Sequence, residues 1–289
     1  MCRYLRDWGF NVVGVCRSYP YHPYQRENLK NIVLHTCDIL NFDELCRVVV
    51  SEGPDIVIHL AALTLIQPSF VDPKPYFDVN FTGTVNVLEA SRRANVKLFV
   101  LMSTDKVLGN RTNAKEYDPY SPVDPYGFTK MLAEEVALRL YGEKLGLRVL
   151  VVRSCNVVGY DLKPRIVPKV VRQCLRGESP VIYRNYKGVR QYIDVRDLVE
   201  AIRVLVEANV TGVWHVGTNE IYSQEEVVLK ILKHFPNIKP TYVDYNAKWR
   251  EVEVQWLNWD KIRRELGWKP KYTLDDAIVN VIELVKRFG

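Results

Sequence analysis

Short apolar, β-branched runs alternate with longer amphipathic stretches over the first half of the chain. Asn11 to Cys16 (NVVGVC), Ile32 to His35, Asp55 to Leu60 (DIVIHL), Val96 to Met102 (VKLFVLM) and Leu147 to Val152 (LRVLVV) read as strands. Asp43 to Val50, Tyr76 to Ala94 and Tyr126 to Leu145 read as helices. Strands that are apolar on both faces, separated by helices, predict a parallel sheet covered on both sides. Right-handed crossovers then give an α/β, doubly wound, Rossmann-like fold. After about Asn156 the rhythm breaks, and six prolines from Pro164 to Pro270 interrupt it. This predicts two domains: residues 1–155 as the Rossmann-like domain and 156–289 as a smaller α/β lobe.

A fold of this kind opens with a strand, a glycine-rich turn and a helix. Here Cys2 to Trp8 has a helical pattern, Gly9 ends it, and Asn11 begins what reads as the second strand. The expected sheet therefore lacks its first strand and the glycine loop after it. The simplest reading makes Met1 an internal methionine taken as the start.

Composition narrows the class. A net charge of +6, spread without a dense Lys/Arg stripe, suits anionic small molecules and argues against nucleic acid. No apolar run reaches the length of a membrane span, and the charged start is no signal peptide. Six cysteines without a CxxC pair predict reduced, mostly buried thiols in the cytoplasm, with no metal site.

The chemistry concentrates in Ser103-Thr104-Asp105-Lys106 and Tyr126-Gly127-Phe128-Thr129-Lys130. Tyr126 and Lys130, four apart, share a helix face. An ammonium beside a phenol stabilises the phenolate, a usable base for a sugar hydroxyl. Ser103 or Thr104, at a strand's carboxyl end, can hydrogen-bond the same hydroxyl. Among 17 tyrosines a chance YxxxK is expected, and Tyr183 to Lys187 is one. Only Tyr126 opens a long helix after a strand ending in Ser-Thr.

Seven stretches in this order resemble the extended short-chain dehydrogenase/reductases, the NAD(P)-dependent nucleotide-sugar epimerases and dehydratases. They are HLAA at 59–62, NFTGT at 80–84, STDKV at 103–107, PYGFTK at 125–130, RSCNVVG at 153–159, RQYIDV at 190–195 and LGWKP at 266–270. The likeness runs from residue 1 to about 285. It implies an NAD(P)-binding first domain and a nucleotide-sugar-binding lobe. It implies that Asp38 and Ile39 contact adenine, that Leu60, Ala61 and Ala62 pass beneath the cofactor, and that Asn80 supports them. Ser103, Tyr126 and Lys130 would meet the nicotinamide end. Asn156, Arg190 and Arg250 would hold the substrate, the arginines on its diphosphate. Where an acid would select NAD, the second strand ends in Val15-Cys16-Arg17, so Arg17 tilts the choice between NAD and NADP toward NADP.

Asp105-Lys106 resembles the acid/base pair of 4,6-dehydratases, and the stretch from His59 to Arg93 most resembles CDP-glucose and, further off, GDP-mannose 4,6-dehydratases. The expected reaction oxidises C4, removes water across C5 and C6, and returns hydride to C6. Thr104, Asp105, Lys106, Tyr126 and Lys130 would be catalytic, with Lys106 acting as a neutral amine. The alternatives are an epimerase of the same family and a non-catalytic or truncated member that no longer binds cofactor. A homodimer is expected through the two long helices, with Val85, Val87, Leu88, Leu132, Val136 and Leu140 as the seam.

Overall fold

The computed structural model describes residues 1–246 and 252–289. The chain runs α1 (Cys2–Asp7), β1 (Val13–Cys16), α2 (Pro23–Asn28), β2 (Val33–Thr36), α3 (Phe42–Glu52), β3 (Ile56–His59), α4 (Ile66–Val71), α5 (Lys74–Tyr76), a π-helical segment (Phe77–Thr82) and α6 (Gly83–Arg93). It continues through β4 (Leu98–Thr104), a 3-10 turn (Asp105–Leu108), α7 (Pro125–Glu135), a second π segment (Val136–Lys144), β5 (Val149–Ser154) and β6 (Asn156–Val158). Then follow α8 (Ile166–Leu175), β7 (Val181–Arg184), β8 (Val189–Asp194), α9 (Val195–Glu207), β9 (Gly212–Val216), β10 (Ile221–Ser223) and α10 (Gln224–Leu232). The last elements are β11 (Thr241–Asp244), β12 (Val254–Gln255), α11 (Asp260–Leu266) and α12 (Leu274–Phe288).

Two compact units result, and they are not divided by a single cut at residue 155. The first holds Met1–Gly109, Pro119–Arg153 and Ile202–Trp214; the second holds Asn110–Asp118, Ser154–Ala201 and His215–Gly289.

In the first unit β1 pairs in parallel with β2, Val13 opposite Val33. A separate sheet has the order β3-β4-β5-β9, with Ile56 opposite Leu98 in a parallel register. Among the described residues no pairing joins β1 to β3. β4 and β5 are buried almost throughout, which is why their sequences are apolar on both faces. Phe99, Leu101, Val149 and Val151 pack there against Leu88, Ala90, Ala133 and Ala137. The two long helical patterns are real, but each contains a π segment that periodicity alone does not predict. The short helices α2 and α4 fall in stretches whose apolar spacing gives no helical signal.

In the second unit β8 lies between β10 and β12 and also pairs with β6, while β7 pairs with β11. Val167, Val171, Val227, Ile231, Ile278 and Val281 form its core. Capping boxes open α10 (Ser223, Glu226) and α12 (Thr273, Asp276). No cysteine is in a disulfide among the described residues; Cys37, Cys155 and Cys174 are buried and the others half-buried. No described helix is long and apolar enough to cross a membrane.

Candidate active site

The site grows from the carboxyl end of β4. Thr104 caps the 3-10 turn, its hydroxyl accepting the Lys106 N–H at 3.3 Å and donating to Asp105 Oδ1 at 3.0 Å. Lys106 Nζ donates to the same oxygen at 2.9 Å, with the two side chains 6% and 2% exposed. A lysine and an aspartate so deeply buried offset each other's charge.

Asp124 starts α7, accepting the Gly127 N–H at 2.7 Å, and Pro125 occupies the first turn. That start places Tyr126, Lys130 and Glu134 along one helical face, all buried. The turn of α7 sits so close to the 3-10 turn that a Cβ on Gly127 would lie 2.8 Å from the Lys106 carbonyl oxygen. Gly127 therefore brings the tyrosine helix against the Asp105–Lys106 pair. Gly109, at φ +62°, ends that turn in a conformation suited to glycine.

Burial pushes Lys130 down to about 8, and only the Glu134 carboxylate pulls against it. His59, at the end of β3, shares a hydrogen bond of 3.0 Å with the Thr84 hydroxyl. Burial, then the charge of Lys130, pushes it down to about 3, so it is a neutral imidazole. Asn80, in the first π segment, accepts the Leu63 N–H at 2.8 Å and donates to the Leu63 carbonyl at 2.9 Å and Thr129 Oγ1 at 3.0 Å. It thereby ties the loop after β3 to α7. Leu60 and Ala61 in that loop are exposed and Ala62 is half-buried.

Ser103 does not share its hydroxyl with Thr104's surroundings. It donates instead to Glu134. Sequence reasoning missed this anchor, which also includes Arg153 and Tyr120. Two signals were present: a carboxylate four residues beyond Lys130 on the same face, and an arginine inside the apolar run LRVLVVRS.

The remaining expected residues stand elsewhere. Asp38 turns the chain after β2, accepting the Leu40 N–H at 2.9 Å, and the Ile39 carbonyl accepts from Asn86 at 2.9 Å. Arg17 is exposed just beyond β1. In the second unit, Asn156 donates to the Gln191 carbonyl at 3.0 Å. Arg190 is 9% exposed and donates to the carbonyls of Val252 and, at 2.8 Å, Glu253. Arg250 lies outside the described residues.

Parallel strands with flanking helices define a Rossmann-like α/β protein, with Thr104 at a strand's carboxyl end and Tyr126 and Lys130 on the helix that follows. The profile of the NAD dependent epimerase/dehydratase family matches residues 1–222, and the chain belongs to that family. It is 29% identical over 263 residues to a dTDP-glucose 4,6-dehydratase of Xanthomonas campestris pv. campestris, covering 82% of this chain and 74% of the relative. It is 31% identical over 287 residues to a UDP-glucose 4-epimerase of Rhizobium meliloti, covering 88% and 86%. A dTDP-glucose 4,6-dehydratase from Streptomyces venezuelae, solved with NAD and TYD bound, superposes with a TM-score of 0.88 at 25% identity. That match covers 98% of this chain and 90% of the other. The cofactor in that structure is NAD, and the lean toward NADP drawn from Arg17 finds no support.

Proposed function

We propose that the protein is a nucleotide-diphosphate-sugar 4,6-dehydratase working with bound NAD. The observation that carries this reading is the buried Asp105–Lys106 pair at the end of β4, held against the helix of Tyr126 and Lys130. The cofactor supplies a hydride acceptor at C4 and a donor at C6. Toward the cofactor, Asp38 and Ile39 beyond β2 would meet the adenine, Leu60, Ala61 and Ala62 would pass beneath the dinucleotide on the loop that Asn80 ties through Leu63, and Lys130 would meet the nicotinamide ribose.

Tyr126, as phenolate beside Lys130, takes the proton of the 4-hydroxyl while Thr104 orients that oxygen. The resulting 4-keto group acidifies the C5 proton. One proton passing along the 2.9 Å Lys106–Asp105 hydrogen bond turns the ion pair into a neutral amine and a neutral acid. The amine removes the C5 proton, and the acid protonates the C6 hydroxyl as it leaves as water. When C6 is then reduced, the Lys106 ammonium would return its proton to C5, and the proton held by Tyr126 would pass to the lysine, restoring the phenolate and the ion pair for the next cycle. Asn156 would touch the substrate's phosphate or sugar, and Arg190 and Arg250 would pair with its diphosphate. The protein would act in the cytoplasm, where its six thiols stay reduced. A homodimer would use Val85, Leu132, Val136 and Leu140, Val136 also packing against the unit's own core; Val87 and Leu88 are buried in that core and leave the seam.

The likeness to a UDP-glucose 4-epimerase supports a second reading, inversion at C4 with the C6 hydroxyl kept. A nucleotide-sugar panel scored by NMR separates the two: a new C6 methyl group is the expected product, and a C4 epimer without one overturns the dehydratase. Lys106→Met should lower dehydration by about 100-fold or more while C4 oxidation, read as bound NADH, persists.

A further inference from the structure

A groove in the first unit plays no part in the reaction above. It is open to solvent, measures about 680 Å³, and lies between the loop after β1, the end of α2 and β2. That volume suits a molecule of nucleotide size, since small-molecule sites run from roughly 300 to 1,000 Å³. Its floor is apolar: Pro20 is buried, and Leu29, Ile32 and Leu34 are half-buried. Gly14 stands opposite Leu34 in the parallel register of β1 and β2. A Cβ on Gly14 would lie 2.6 Å from Leu34 Cδ2, so glycine there lets the leucine lie close against β1. Tyr19 supplies an aromatic side, 52% exposed, with the Tyr21 ring edge-on to it at 5.9 Å. The surrounding chain is pinned. His22 caps α2 by accepting the Tyr24 N–H at 3.3 Å, Asn28 donates to the Tyr24 carbonyl at 2.6 Å, and Arg6 of α1 donates to the Lys30 carbonyl.

Two cations, Arg26 and Lys30, line the same groove, and among the described residues no carboxylate does. Neither side chain forms an ion pair or a hydrogen bond with a described residue. Lys74, Arg92, Arg93, Lys97 and Arg139 of the same unit each meet a carboxylate. Asp7 is held by Arg6 at 2.7 Å, and Glu27 does not line the groove. Two like charges over one apolar floor repel each other, and an anion between them turns that repulsion into attraction. None of the groove's residues belongs to the sets assigned to the cofactor or the substrate.

We propose that this groove is a second ligand site, separate from the catalytic one, for a small aromatic phosphate: a flat ring against Tyr19 and the apolar floor, with its phosphate dianion between Arg26 and Lys30. The site does not depend on the dehydratase reading, and its test needs no sugar substrate. 5′-AMP is titrated into protein labelled with 13C in the tyrosine rings and followed by NMR, the Tyr19 signal being assigned from a Tyr19→Phe variant. The Tyr19 signal should shift and saturate. Adenosine and inorganic phosphate, each carrying one half of the ligand's chemistry, should bind there at least about 10-fold more weakly. Arg26→Glu/Lys30→Glu should weaken AMP at this signal by at least about 10-fold, because charge-assisted hydrogen bonds are replaced by repulsion. Both side chains are exposed, so the fold should hold. If it does not, Arg26→Gln/Lys30→Gln removes the charges alone and is read against the same outcomes. A Tyr19 signal that does not saturate overturns the proposal. So does adenosine or phosphate binding as tightly as AMP, or an AMP affinity unchanged in the double variant, which would place the nucleotide elsewhere.

Discussion

The two units bury polar side chains in different company. In the first, charged and hydroxyl groups meet one another: Arg153 and Ser103 on Glu134, Lys106 and Thr104 on Asp105, His59 on Thr84. In the second they mostly latch backbone. Gln191 donates to the carbonyls of Thr218 and Leu257, Thr218 donates to the Tyr192 carbonyl, and Asp197 accepts the N–H groups of Lys271 and Tyr272. A backbone amide keeps its proton, so a latch of that kind holds a shape and little else. Side chains that meet side chains can pass protons and trade charge. The first unit is therefore where proton chemistry has its means, and it carries the electrostatic cost of burying them.

The sharpest way to break that contrast is to orphan a charge. Arg153→Met leaves Glu134 buried without its guanidinium, which typically costs about 3–5 kcal/mol. Urea unfolding should show the full loss. The double variant Glu134→Gln/Arg153→Met should recover most of it, because two neutral groups of similar shape replace the pair. Equal loss in both variants would mean that packing, and not charge, makes the anchor matter.

The next effect is smaller and depends on pH. His59 titrates near 3 when folded, against an ordinary value of 6.5. Between those values the unfolded chain binds the proton that the folded protein refuses. Stability from this group is fully present above pH 6.5 and is lost as pH falls toward 3. The loss is on the order of a few kcal/mol. His59→Gln keeps a partner for Thr84 and removes the ionisation. The difference in unfolding free energy between the two proteins should shrink steadily from pH 6.5 downward, and a constant difference would refute the assignment.

Much of this was legible in the residues. Alternation of apolar runs and helices located β1 to β5, and the Ser-Thr strand end together with Tyr126 and Lys130 pointed to the candidate centre. What stayed hidden depends on tertiary partners. Nothing local marks Ser103 as Glu134's donor, or separates its role from that of Thr104, its neighbour on the opposite face of β4. The π segments were hidden because one extra residue per turn barely disturbs the apolar spacing, although the first of them sets Asn80 against Leu63 and Thr129. The return of Ile202–Trp214 to the first unit was equally unreadable, since α9 is one uninterrupted amphipathic helix across that boundary.

The smallest effect separates the units most cleanly, because it uses the same chemistry in both. Asp124 caps α7 in the first unit and Thr273 caps α12 in the second, each accepting an N–H three residues on. Replacing either with alanine should cost about 1 kcal/mol. Their consequences for turnover should diverge. Asp124 fixes where α7 begins, and so where Tyr126 stands relative to the 3-10 turn of Asp105 and Lys106. Thr273 fixes a helix whose buried face is Leu274, Ile278 and Val281. At equal loss of stability, Asp124→Ala should lower kcat and Thr273→Ala should leave it unchanged. A matched fall in both would mean that the helix start does not position the tyrosine, and the division of labour drawn between the units would fail at that point.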